Sequence, residues 1–160
     1  MRNTKAAFLW IVGLLEDLRI IFEVDGGLAA ELYGSGRELA DIDINIYKKD
    51  FEKLIPKIKE YIKFGPERYK DDHWDIFMIT IKYAGQNIDI GAVDDARYFD
   101  EEEKKWVSLP ADLSDVRVME YAGINVPVIN EIKLMIYKSK LGRGVDKRDV
   151  GAMSDKLFNQ

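Results

Sequence analysis

Apolar residues recur at helical spacing from about Lys5 to Leu18, whereas the run Ile20-Ile21-Phe22-Glu23-Val24 reads as a buried strand leading into Asp25-Gly26-Gly27. Leu28 to Tyr33 predicts a short helix, stopped by Gly34-Ser35-Gly36. Polar and apolar residues then alternate from Asp41 to Tyr47, as a strand requires. Asp50 is placed to cap a further helix, whose apolar positions Phe51, Leu54, Ile55, Ile58 and Ile62 keep helical spacing despite Pro56.

The middle of the chain is β-rich. Asp75 to Tyr83 and Asn87 to Val93 flank Ala84-Gly85-Gln86, a turn suited to a hairpin. A second β excursion spans Val116 to Val128 around Gly123-Ile124-Asn125, and Asn130 reads as the N-cap of a helix through Lys138. Gly142-Arg143-Gly144 breaks that helix and Asp146 starts the last one. Helices and strands interleave without strict βαβ repetition, so the expected class is α+β (mixed α/β), a mixed sheet with helices packed against it. No repeat or low-complexity linker divides the 160 residues, which reads as one domain over 1–160 with 130–158 as C-terminal helices.

Composition narrows the chemistry. The chain has no cysteine, which excludes a disulfide framework, a thiol nucleophile and cysteine-ligated zinc, and makes a reducing cytoplasm the expected location. A net charge of −5 argues against stable nucleic-acid binding, which favours a basic surface. Charge is uneven, with acids crowded over Asp94 to Glu103 and bases at Lys133, Lys138, Lys140, Arg143, Lys147 and Arg148. The apolar run AAFLWIVGLL near the N-terminus is too short to span a bilayer and lacks a small-residue cleavage pattern, so no membrane association is expected and a buried first helix is. His73 is the only histidine, and a lone histidine is a poor basis for a metal site. Trp10, Trp74 and Trp106 read first as packing residues, with base stacking as the functional alternative.

The most chemically informative segment is DGGLAAELYGSGRELADIDIN, Asp25 to Asn45. Asp41 and Asp43 are spaced to share one strand face, and together they can chelate a divalent cation. Gly26 and Gly27 allow a backbone to approach a ligand closely, and the helix after them offers unpaired N–H groups to phosphate. A third carboxylate, Asp89, sits among isoleucines in Asn87-Ile88-Asp89-Ile90, and an antiparallel partner strand could bring it beside the first two. Carboxylates in such surroundings are costly unless paired or metal-bound.

The glycine pair, a turn of helix and then D-h-D-h resemble the nucleotidyltransferase superfamily with the DNA polymerase β-type core. The wording is closest to lincosamide and aminoglycoside nucleotidyltransferases and to abortive-infection nucleotidyltransferase-like proteins. Arg37-Glu38 and VPVINEIKLMIYKSKLGRGVDKRD resemble the same group, which extends the likeness over most of the chain. The glycine-glycine pair replaces the glycine-serine of much of the superfamily, as the antibiotic-modifying branch also does.

The resemblance implies that Asp41, Asp43 and Asp89 are catalytic and bind Mg2+ or Mn2+, with Asp89 accepting the proton of the attacking hydroxyl. It implies an NTP donor such as ATP, bound through Gly26, Gly27, Arg37 and Lys138, and a small-molecule acceptor. The acidic Asp94 to Glu103 segment, just after Asp89, suggests that this acceptor is cationic. The alternatives are a toxin-antitoxin or abortive-infection enzyme acting on protein or tRNA, and a non-catalytic nucleotide-binding domain. Acceptor, preferred base and oligomeric state are left open.

Overall fold

A computed structural model describes residues 1–159. The chain opens with α1 (Thr4–Asp17), whose N-cap Asn3 accepts a hydrogen bond from the Ala6 N–H at 3.0 Å. Ala7, Phe8, Ile11, Val12 and Leu15 form its buried face. Then come β1 (Phe22–Asp25), α2 (Gly26–Leu32), β2 (Ile42–Ile46) and α3 (Phe51–Ile58), followed by β3 (Ile62–Lys70), β4 (Trp74–Tyr83), β5 (Gln86–Asp100) and β6 (Lys105–Ser108). The hairpin β7 (Val116–Tyr121) and β8 (Ile124–Ile129) leads into α4 (Glu131–Leu141) and α5 (Gly144–Phe158).

Among the described residues, eight strands join one mixed sheet in the order β3-β4-β5-β2-β1-β8-β7, with β6 paired to the distal part of β5. The centre is where direction changes: β1 runs antiparallel to β2, while β2 is parallel to β5 and β1 parallel to β8. Central strands carry isoleucine and valine, and Ile42, Ile44, Ile46, Ile88, Ile90, Val126 and Val128 are all essentially inaccessible. α1 and the other helices close the core with Phe8, Ile11, Leu15, Leu28, Leu54, Leu134 and Leu141.

Several expectations change. Asp89 comes to β2 on a parallel strand, not an antiparallel one. The helix from Phe51 stops at Ile58, two residues beyond Pro56, and Ile62 begins β3 instead of extending the helix. Asp50 makes no side-chain cap; it is buried and pairs with Lys53 at 3.4 Å. β5 runs through Asp100, so much of the acidic run is strand. The turn residues behave as read: Asn130 accepts from the Ile132 N–H at 2.9 Å, and Gly142 ends α4 in the left-handed region.

Candidate active site

One large cavity, about 730 Å3, lies over the face of the sheet that carries the predicted acids. The pleat explains its lining. Asp25 from β1, Asp43 and Asn45 from β2, Asp89 and Gly91 from β5, and Trp74, Ile76, Met78 and Thr80 from β4 all project to it, the alternate residues of each strand. Asp43 and Asp89 are direct register partners across the parallel β2–β5 pair, and Asp25 is the partner of Asp43 on the other side. Asp41 lies one residue before β2 and also lines the cavity. Three neighbouring strands therefore present a row of carboxylates.

The row is electrostatically loaded. Burial, followed by the charges of Asp89, Asp25 and Asp41, holds the Asp43 carboxyl well above the ordinary range. Asp89 is raised as well, by burial and by Asp41, although the Thr80 hydroxyl donates to its Oδ1 at 2.6 Å and partly offsets this. An oxygen-only cluster that resists full ionisation is chemically matched to a hard divalent cation. Among the described residues, however, no group of three or more His, Cys, Asp or Glu side chains is gathered into a ready-made metal site. The donor set fits Mg2+ or Mn2+ in kind, and its arrangement is not a preformed chelate.

Beneath the row lies a second polar layer that sequence reading missed. The two hydrogens of the Asn45 amide go to Glu23 at 2.8 Å and Asp25 at 2.7 Å. Asp25 also accepts from the Gly26 N–H at 2.7 Å and from the Tyr137 hydroxyl at 2.5 Å. Burial, and then the proximity of Asp25, pushes Glu23 up to about 8. Its Oε1 is buried and has no hydrogen-bond partner among the described residues. The signal in the sequence was the alternation Glu23-Val24-Asp25, which places both acids on one strand face.

Gly26 and Gly27 face the cavity with different constraints. Gly26 has φ +59°, and a Cβ there would overlap the Asp43 carboxylate. Gly27 is not in the left-handed region, and its added Cβ would stand 2.8 Å from Arg37 Nη2. The helix they open, α2, has only seven residues.

The cations form the opposite wall. Arg37 makes a two-pronged contact with Asp149, Nε at 2.6 Å and Nη2 at 3.0 Å. Lys138 is buried between Asp146 at 3.3 Å and Asp149 at 3.1 Å, and Arg143 closes the series on Asp146 at 2.6 Å. Arg37, Lys138 and Arg143 all line the cavity, whereas Lys147 is exposed away from it. Asp146, read from sequence only as the start of the last helix, and Asp149, not singled out at all, are spaced one helical turn apart on α5, which begins at Gly144, and that spacing is the available signal.

The acidic run contributes nothing to the lining. Asp94 and Asp95 are engaged with Lys48 and Arg68, Asp100 caps a turn, and Glu101 pairs with Lys104. Trp74 borders the cavity, Trp10 is stacked on Tyr83 at 4.0 Å, and Trp106 lies under Lys70 and Arg97. His73 is not among the lining residues.

No family model and no curated protein sequence matches the chain. Solved structures do. A Thermotoga maritima protein described as a candidate nucleotidyltransferase superposes with a TM-score of 0.67 at 20% identity, covering 100% of this chain and 97% of that one. The lincosamide antibiotic adenylyltransferase LnuA, solved with lincomycin bound, gives 0.62 at 17% identity over 98% of this chain and 99% of the other. The antibiotic-resistance factor ANT(2'')-Ia gives 0.59 at 9% identity, covering 98% of this chain and 85% of its own. At such identities the likeness establishes a shared fold, in agreement with the resemblance carried by the glycine pair and D-h-D-h.

Proposed function

We propose that this chain is a metal-dependent nucleotidyltransferase that moves a nucleoside monophosphate from an NTP to a hydroxyl of a small-molecule acceptor and releases pyrophosphate. The observation that carries the reading is the register pair Asp43 and Asp89, set between a cationic wall on one side and open cavity on the other. Gly26 and Gly27 supply backbone close to the cationic wall, and Arg37 and Lys138 supply charge, so the triphosphate belongs there. Asp41, Asp43 and Asp89 would hold Mg2+ or Mn2+. Bound there, the cation supplies neutralisation of phosphate charge and of the carboxylate row.

The acceptor oxygen attacks the α-phosphorus, the bond from that phosphorus to the bridging oxygen breaks, and pyrophosphate departs with the electron pair. The hydroxyl proton passes to Asp89 Oδ2, since Oδ1 is engaged by Thr80. A fold neighbour described as a lincosamide antibiotic adenylyltransferase, solved with lincomycin bound, supports a lincosamide-like acceptor within the same chemistry. A cavity of this size also favours a small acceptor over protein or tRNA.

The test is Asp43→Asn with ATP, GTP, CTP or UTP, magnesium, and a panel of hydroxylated acceptors, read as pyrophosphate release. Wild type should turn over and the variant should lose at least a thousandfold in rate while melting at the same or a higher temperature, because a repulsive carboxylate is neutralised. Absence of magnesium-dependent triphosphate binding in the wild type would refute the reading.

A further inference from the structure

On the transferase reading, the half of the cavity beyond Asp89 receives the acceptor, and its walls define what kind of molecule that is. We infer that the acceptor is a small hydroxylated compound with an apolar body and no dense positive charge, seated on the β3–β4 hairpin.

Three alternate residues of β4, Trp74, Ile76 and Met78, face the cavity and are half-buried, while Asp75 and Ile79 on the opposite face are buried. Phe64 and Tyr69 extend this surface onto β3. Gly91 makes room for it: a Cβ there would meet Ile76 Cδ1 at 2.6 Å. The sheet face thus divides into a carboxylate half and an apolar half, and incompletely covered apolar side chains inside a cavity gain by burying an apolar ligand.

Charge points the same way. Among the described residues lining the apolar half, the only carboxylate apart from the proposed catalytic acids is Asp71, and it already accepts from the Tyr69 hydroxyl at 2.8 Å and from the N–H groups of His73 and Trp74 at 2.8 and 2.7 Å. Asp94 to Glu103 stand outside the lining. Several amines on one molecule would therefore lack partners and would desolvate against apolar walls. The cavity is shared with a triphosphate, which leaves space for one compact molecule.

The test uses three probes titrated into the full-length protein and followed by calorimetry. Phenyl β-D-glucoside carries hydroxyls and an apolar ring, glucose carries hydroxyls alone, and kanamycin is a polycation. Phenyl glucoside should bind at least tenfold more tightly than glucose, and kanamycin no better than glucose. Met78→Gln should remove the phenyl glucoside preference without changing affinity for magnesium-ATP. Should that variant fail to fold, Tyr69→Ala, which trims a side chain 40% exposed, should weaken phenyl glucoside at least threefold. Equal binding of phenyl glucoside and glucose, or tightest binding of kanamycin, would overturn the inference even where magnesium-ATP binds normally. Conversely, the apolar preference without any magnesium-ATP binding would uphold the pocket's character and remove the transferase reading.

Discussion

Replacing Asp149 by asparagine should destabilise the fold by about 3 kcal/mol, near the lower end of the range of about 3 to 5 kcal/mol for breaking a buried pair. Asp149 is 1% exposed and serves two cations, Arg37 through two hydrogen bonds and Lys138 at 3.1 Å. Arg37 is 27% exposed and can recover some hydration, and Lys138 keeps Asp146, so the lower figure applies. For a domain of this length it corresponds to a melting temperature lower by roughly 6 to 12 °C. Urea and thermal unfolding of Asp149→Asn measure both quantities. A triple variant, Arg37→Met and Lys138→Met with Asp149→Leu, should recover much of the loss, because both cations that Asp149 serves leave with it and Asp146 keeps Arg143. Burial alone would raise Asp149, but the Arg37 hydrogen bond and the Lys138 charge hold it below the ordinary 3.8. Its stabilisation is therefore present above pH 3.8 and disappears as pH falls through the lower folded value, an acid limb that the variant should lack. A loss under 1 kcal/mol, or single-variant effects that simply add, would refute the view that this network is one unit.

Two further outcomes follow from the site. Glu23→Gln should flatten the fall in stability between pH 4.5 and about 8: the folded carboxyl holds its proton up to about 8, so the wild type loses a few kcal/mol as pH rises through that window. Asp25 raises Glu23 and Lys133 lowers it, so pH melts of Lys133→Met should show a steeper fall. Gly27→Val should still fold but with lowered stability, because its new Cβ pushes the Arg37 guanidinium off Asp149, and it should weaken triphosphate binding at least tenfold while leaving nucleoside binding nearly unchanged by calorimetry.

The strands and helices readable from sequence were those with uninterrupted periodicity. In β4, Trp74, Ile76, Met78 and Thr80 alternate with Asp75, Phe77, Ile79 and Ile81 on the other face, and in α4 Asn130 and Gly142 mark both ends. β3 was hidden because Gly65-Pro66 breaks the pattern of an edge strand, a position where proline costs little. Asp41, Asp43 and Asp89 stood out because charge among isoleucines is conspicuous. Asp146 and Asp149 did not, since an aspartate on a helix reads as solvated until a second helix brings Lys138 against it. Parallel pairing of β2 with β5 was equally illegible, because alternation records which face a residue takes and not the direction of its neighbour.

That parallel pairing has a consequence for how the chain reaches its working form. β3, β4 and β5 can join as successive hairpins, as can β7 and β8, each closing a short loop. Asp43 and Asp89 meet only when β2 docks along β5 across all of the intervening chain, and β1 must in turn dock beside β8. Such non-local closures cost the most loop entropy and come late in folding. A partly assembled chain can thus hold most of its local structure while its carboxylates remain apart and harmless to one another, so the repulsion stored in the site is confronted only at the final closure.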